Sequence, residues 1–134
     1  MNQSDPEAVI RAAVEAANRG DVEAMVRLFD DNAMIRLEPP LLPLGGPFQG
    51  RHQIREYVRH IVGSGFHVEP AGFRVAGDGV TWRSRLTSPA LRQAGIEQAE
   101  STSQAVVQRG QIQTLTVHYS PEAVERMRAA AAQA

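Results

Sequence analysis

The sequence predicts an α+β fold in which helices gather before and beside a run of antiparallel strands. Three observations carry this. Apolar residues recur at helical spacing near the start of the chain and again after residue 50; from Phe66 onward they follow strand-like patterns; and turn signals at Gly77-Asp78-Gly79 and Arg109-Gly110 fold those strands back on one another. With 134 residues, 43% apolar and 22% charged, the chain can bury a core and reads as a single domain over 1–134.

Ser4-Asp5-Pro6-Glu7 is a helix start: Ser4 or Asp5 caps, Pro6 suits the first helical position, and Glu7 completes a capping box with Ser4. Val9, Ile10, Ala13, Val14 and Ala17 form the apolar face, and Gly20 stops the helix. Asp21 caps a second helix with Val22, Met25, Val26 and Phe29 as its stripe. Ala33 to Glu38 is a strand, ended by Pro39-Pro40. Residues 39–50, PPLLPLGGPFQG, cannot be helix; so apolar a loop either covers a core or pocket edge or makes an oligomer contact. A third helix runs from about Arg51 to Val62, burying Ile54, Tyr57, Val58 and Ile61. Phe66 to Ala76 is a strand that Pro70 and Gly72 make irregular, and Val80 to Ser88 is its return. Residues 89–96 are a loop or short helix. Gln98 to Gln108 and Gln111 to Ser120 are the last two strands, and Ser120-Pro121-Glu122 opens a final helix anchored by Val124 and Met127, with a low-complexity tail that frays.

If Arg109-Gly110 is a two-residue turn, the last hairpin has a definite register. Glu100, Thr102, Gln104 and Val106 then share a face with Gln113, Leu115, Val117 and Tyr119, which suits a partly polar cavity under the helices. Ser101, Ser103, Ala105 and Val107 share the other with Ile112, Thr114, Thr116 and His118; small and flat, it suits contact with a second copy. A one-residue slip exchanges the two sets.

Composition excludes several chemistries. The absence of Cys removes disulfides, thiolate nucleophiles and thiolate metal sites. All 14 basic residues are Arg, so Schiff-base chemistry and a P-loop lysine are excluded. His52, His60, His67 and His118 show no metal-binding spacing, and no metal or other cofactor is expected. Apolar runs fall far short of the ~20 residues of a membrane helix. Met1 to Glu7 does not resemble a secretory leader, and a cytoplasmic location is expected. A net charge of −1 gives no field for nucleic acid or membrane, so neither is an expected partner.

The stretch GDVEAMVRLFDDNAMI, the Pro/Gly loop, GRHQIREYVRHIV and the four strands that follow resemble the NTF2-like superfamily in its SnoaL-like branch, over about residues 6–128. Its local signatures are Gly20-Asp21, Leu28-Phe29 before Asp30-Asp31, and Gly50-Arg51 with Ile54-Arg55. The resemblance implies a curved antiparallel or mixed sheet wrapped around the N-terminal helices as a cone with a deep pocket, dimeric through the sheet's outer face. It implies no single activity, because the fold serves steroid isomerases, limonene-epoxide hydrolases, polyketide cyclases, dehydratases and non-catalytic binders. Glu38-Pro39 resembles the isomerases' Asp-Pro, but Ala13 stands where their helix-one Tyr falls and strand 98–108 has no Asp. Arg85-x-Thr87 lacks the acid of the epoxide hydrolases' Arg-x-Asp, and Val117 stands at their final-strand Asp.

Two readings follow. In the first, the chain is a small-molecule enzyme doing acid–base chemistry in a hydrophobic pocket, of epoxide hydrolase, isomerase or cyclase type. Glu38 is the base, since a strand end beside an apolar loop can be dry yet reach a ligand, with Glu100 and Tyr119 in support. In the second, it is a non-catalytic pocket protein for an apolar or partly polar ligand, or for a protein partner. Tyr57, Trp82, Thr102, Gln104, Leu115 and Val117 are the candidate pocket lining. Val80, Trp82, Ser84 and Leu86 share one face of their strand and Arg83 and Arg85 the other; either can line the pocket, and the apolar set argues for Trp82 inside. Arg83 and Arg85 inside would instead fit an anionic ligand.

Overall fold

The computed structural model describes residues 5–38, 47–93 and 95–133. Helix α1 spans Pro6–Arg19 and α2 spans Val22–Val26; strand β1 is Phe29–Glu38, β2 Phe48–Gln49; α3 spans Gly50–Gly63; β3 is His67–Ala76, β4 Gly79–Thr87; α4 spans Pro89–Gln93; β5 is Ala99–Gln108, β6 Gln111–Tyr119; α5 spans Pro121–Gln133. The strands form one six-stranded mixed sheet in the order β2-β1-β6-β5-β4-β3. β1 lies parallel to β6, and the other neighbours pair antiparallel. This is an α+β fold, its sheet bent by irregularities in β1, β3 and the β5–β6 pairing.

Local chemistry explains the elements. Asp5 caps α1, accepting a hydrogen bond from the Glu7 N–H at 3.1 Å. Gly20 ends α1 at φ 79, a left-handed conformation that glycine adopts without steric cost. Asp21 accepts from the Ala24 N–H at 3.1 Å and caps α2. That helix is shorter than its apolar stripe suggests: Phe29 opens β1 rather than closing α2. The segment expected to cover a pocket or an oligomer contact lies outside the described residues from 39 to 46, while Phe48 and Gln49 pair with Ile35 and Met34 as a short edge strand. Ser88 caps α4 through the Leu91 N–H, so the 89–96 segment is helical at its start. The tail expected to fray continues α5 to Gln133.

The helices cover one face of the sheet. Ile10, Val26, Phe29, Ile35, Ile54, Val58, Val80, Val107 and Ile112 are all but fully buried between them. Arg55 donates two hydrogen bonds to Glu23, at 2.9 and 3.0 Å, which tie α3 to α2 and hold the Glu23 carboxyl below its ordinary value. Asn18 joins α1 to the sheet edge. Its amide donates to the Val68 carbonyl and accepts from the Val68 N–H, both at 2.9 Å, giving edge strand β3 the partner that a further strand would supply.

The register of the last hairpin differs from the sequence expectation. Gln108 pairs with Gln111 and Val107 with Ile112, across a turn in which Arg109 and Gly110 both have positive φ. Beyond them the pairing slips by one: Val106 faces Thr114, Ala105 faces Leu115, Ser103 faces Val117 and Ser101 faces Tyr119. The bulge at Gln113 reverses β5 relative to β6. Ser101, Ser103 and Ala105, expected on the outer face, are buried under the helices, and Glu100, Thr102 and Gln104, expected inside, are exposed on the outer face. Leu115, Val117 and Tyr119 keep their inward assignment.

Candidate functional site

The concave face is built of cross-strand rows. Val80 on β4, Ala105 on β5, Leu115 on β6 and Ile35 on β1 make one row. Trp82, Ser103, Val117 and Leu37 make the next, and Ser84, Ser101 and Tyr119 the one after. Near the Arg109-Gly110 turn, large aliphatic side chains fill the space under the helices. Further along, three serines take their place, and a small side chain opposite a rigid helix leaves room.

That room is a cavity of about 110 Å³. The helices supply Val14, Ala17, Met25 and Ile61; the start of β3 supplies Val68, with Phe66 just before it; the sheet supplies Trp82, Leu86, Leu115 and Val117 with the hydroxyls of Ser84, Ser101, Ser103 and Tyr119; and Tyr57 closes it on the α3 side. Polarity is one-sided: the hydroxyls stand on the sheet wall and the helix wall is apolar apart from Tyr57. Ser84, Ser101 and Ser103 are buried, at 7%, 5% and 4% exposure. Among the described residues the serine hydroxyls engaged in hydrogen bonds are those of Ser64, Ser88 and Ser120, none of them on the cavity. The cavity serines hold their donors and acceptors toward the empty space.

Both phenols stay protonated at ordinary pH. Burial pushes the Tyr57 hydroxyl well above its usual value, and the neighbouring Tyr119 adds to this. Burial pushes Tyr119 up to about 12. Each is a neutral hydrogen-bond donor, and neither is a proton acceptor near pH 7. Beneath Trp82 lies a second support. Phe73 stacks on it at 5.8 Å between centroids, and Arg11 from α1 sits over Phe73 at 4.4 Å, fixing the indole from behind.

Of the residues singled out from sequence, Tyr57, Trp82, Leu115, Val117 and Tyr119 meet at the cavity. Thr102 and Gln104 do not, for the reason of register given above. Glu100 is exposed on the outer face, paired in register with Arg85. Glu38 is half-buried at the end of β1 and alternates with the inward-facing Leu37; it shares the outer face with its register partner His118. The open choice on β4 resolves toward Trp82: Arg83 and Arg85 are exposed, while Trp82, Ser84 and Leu86 point inward. The polar cavity residues missed from sequence are Ser101 and Ser103, beside the apolar Val14, Ala17, Met25, Ile61, Phe66 and Val68. Their signal was present in β5 itself, where Ala99, Ala105 and Val107 share one phase with Ser101 and Ser103, while Glu100, Thr102, Gln104 and Val106 share the other.

No carboxylate, imidazole or guanidinium lines the cavity among the described residues. The four histidines are all exposed. Among the described residues no three His, Asp or Glu side chains stand close enough to hold a metal ion, and no helix is long and apolar enough to cross a membrane.

Residues 10–113 match the SnoaL-like domain, and the chain belongs to that family. No curated protein matches the chain. Solved structures do. SalBIII, an epoxide hydrolase/cyclase-like enzyme with a role in pyran ring formation in the polyether salinomycin, is similar with a TM-score of 0.71 at 20% identity, covering 88% of this chain and 92% of that one. An NTF2-like protein of unknown function from Burkholderia pseudomallei gives 0.72 at 17% identity, over 93% and 96% of the two chains. A de novo designed protein with a curved β-sheet gives 0.72 at 14% identity over the whole of both. At such identities the likeness is one of fold, which is NTF2-like.

Proposed function

We propose that this chain is a small-molecule-binding member of the SnoaL-like family whose cavity holds a small, largely apolar ligand. One observation carries this reading: every described residue on the cavity wall is apolar or a neutral donor. Segment 39–46 consists only of Pro, Leu and Gly, so its side chains cannot add an acid or base. Acid–base turnover needs a proton acceptor within reach of the ligand. The two carboxylates suited to that role by sequence, Glu38 and Glu100, stand on the opposite sheet face, so the set Glu38, Glu100 and Tyr119 does not converge.

The similarity to an epoxide hydrolase/cyclase-like enzyme favours the catalytic reading, and one experiment separates the two. The chain has a single tryptophan, Trp82, on the cavity wall. Titration with toluene should change Trp82 emission saturably, and Ser103→Leu, which fills the cavity from the sheet side, should abolish that change while thermal unfolding shows the variant folded. Turnover of an epoxide or enone, lost by about 100-fold in Glu38→Gln, would establish the enzyme instead. We further assign the outer sheet face, around Thr102, Gln104, Thr114 and Thr116, to a second copy of the chain.

A further inference from the structure

We propose that the cavity takes a neutral, single-ring compound whose carbonyl oxygen is held by the hydroxyl row Ser84–Ser101–Tyr119, and that it excludes charged molecules of the same size. This rests on the binding reading above and names its ligand class.

Size comes first. A cavity of about 110 Å³ is somewhat smaller than the roughly 150 Å³ apolar cavity that accommodates one benzene ring. The room is on the scale of one small ring, and a fused two-ring skeleton exceeds it. Shape of polarity comes next. The three residues are cross-strand neighbours, because Ser84 pairs with Ser101 and Ser101 with Tyr119, and all three line the cavity. A ligand lying flat against the helix wall meets Val14, Ala17, Met25 and Ile61 with its ring, and presents one edge to this row.

The oxygen type follows from the donors. The phenol of Tyr119 keeps its proton, and a serine hydroxyl can rotate to donate. A carbonyl oxygen has two lone pairs in its plane, so it can accept from Tyr119 and from Ser101 together. A ligand without an acceptor leaves these buried hydroxyls unpaired, which costs binding energy. Exclusion of charge follows from the same wall. A buried ion without a counter-charge loses its hydration with nothing in return, and the described wall offers neither a cation nor an anion.

The test is an equilibrium titration of the purified protein with cyclohexanone, methylcyclohexane, cyclohexylammonium and cyclohexanecarboxylate, read by Trp82 emission and by saturation-transfer NMR. Cyclohexanone should bind at least about 5-fold tighter than methylcyclohexane, as one net hydrogen bond requires, and the two ions should not bind over the same range. Tyr119→Phe and Ser101→Ala should each weaken cyclohexanone about 5-fold and leave methylcyclohexane binding no weaker than in the wild type. Ser101→Ala guards against a folding defect in the tyrosine variant, since Tyr119 also packs against the second apolar cluster around Leu86 and Ile96. Equal affinity for the ketone and the hydrocarbon, equal losses for both in the variants, or binding of either ion as tight as the ketone would overturn the ligand class and leave the binding reading standing. Tighter binding of 2-decalone than of cyclohexanone would overturn the size limit. Failure of every ring compound to bind would remove the binding reading itself, and this inference with it.

Discussion

Tyr57 and Tyr119 set the chemical character of the cavity. Phenols forced to stay neutral can hold an oxygen but cannot pull a proton from carbon. The same burial makes a prediction about stability. Tyr119 has its folded value raised to about 12 from an ordinary 10.0, so the folded protein holds its proton after the unfolded chain has released it. Stability should be insensitive to this group below pH 10 and should fall between pH 10 and 12. The slope is about 1.4 kcal/mol per pH step, or roughly 3 kcal/mol across the interval. Tyr57 shifts in the same direction and steepens the fall. Urea unfolding at successive pH values, alongside absorbance titration of the phenols, measures this. Two tyrosines ionising together near pH 10 in the folded protein would contradict the buried placement.

The secondary-structure elements were legible in the sequence because their signals are local. Asp5 and Asp21 cap, Gly20 stops a helix, and Arg109-Gly110 turns a hairpin, each by chemistry confined to a few neighbouring residues. The facing of β5 was not legible from the hairpin register alone. A two-residue turn counted outward from Gln108 and Gln111 gives the right pairs until Ile112, and the extra residue Gln113 then shifts every later pair. Nothing in Gln113 announces a bulge. It is demanded only when the apolar phases of β5 and β6 are read separately and found to disagree with the turn. The correction moves the surface assigned to a second copy. Its residues are Thr102, Gln104, Thr114 and Thr116, not Ser101 and Ser103. Thr116→Arg should convert a dimer to a monomer in sedimentation velocity without lowering the thermal midpoint much, because the side chain lies on the face away from the core. A monomeric wild-type protein, or a variant as dimeric as the wild type, would contradict this surface.

Considered whole, the molecule separates its charges from its cavity. Among the described residues the carboxylates and guanidinium groups lie off the cavity wall, which carries hydroxyls and hydrocarbon. The family likeness was legible in sequence from Gly20-Asp21, Leu28-Phe29 and Gly50-Arg51, and residues 10–113 carry it. The cavity lining is legible in part: Tyr57, Trp82, Leu115, Val117 and Tyr119 point inward from strands and a helix with clear apolar phases, whereas Glu100 follows the hairpin register that the bulge overturns and Glu38 follows its place at a strand end beside an apolar loop. In the proposed reading the ligand binds inside the concave face, at the serine–tyrosine row. A crystal structure of the protein soaked with cyclohexanone tests it most directly. Ring density between Ala17 and Ser103, with its oxygen within hydrogen-bond distance of Tyr119 or Ser101, is the predicted result. An empty cavity, with the ketone bound instead beside Glu38 and His118, would contradict the account.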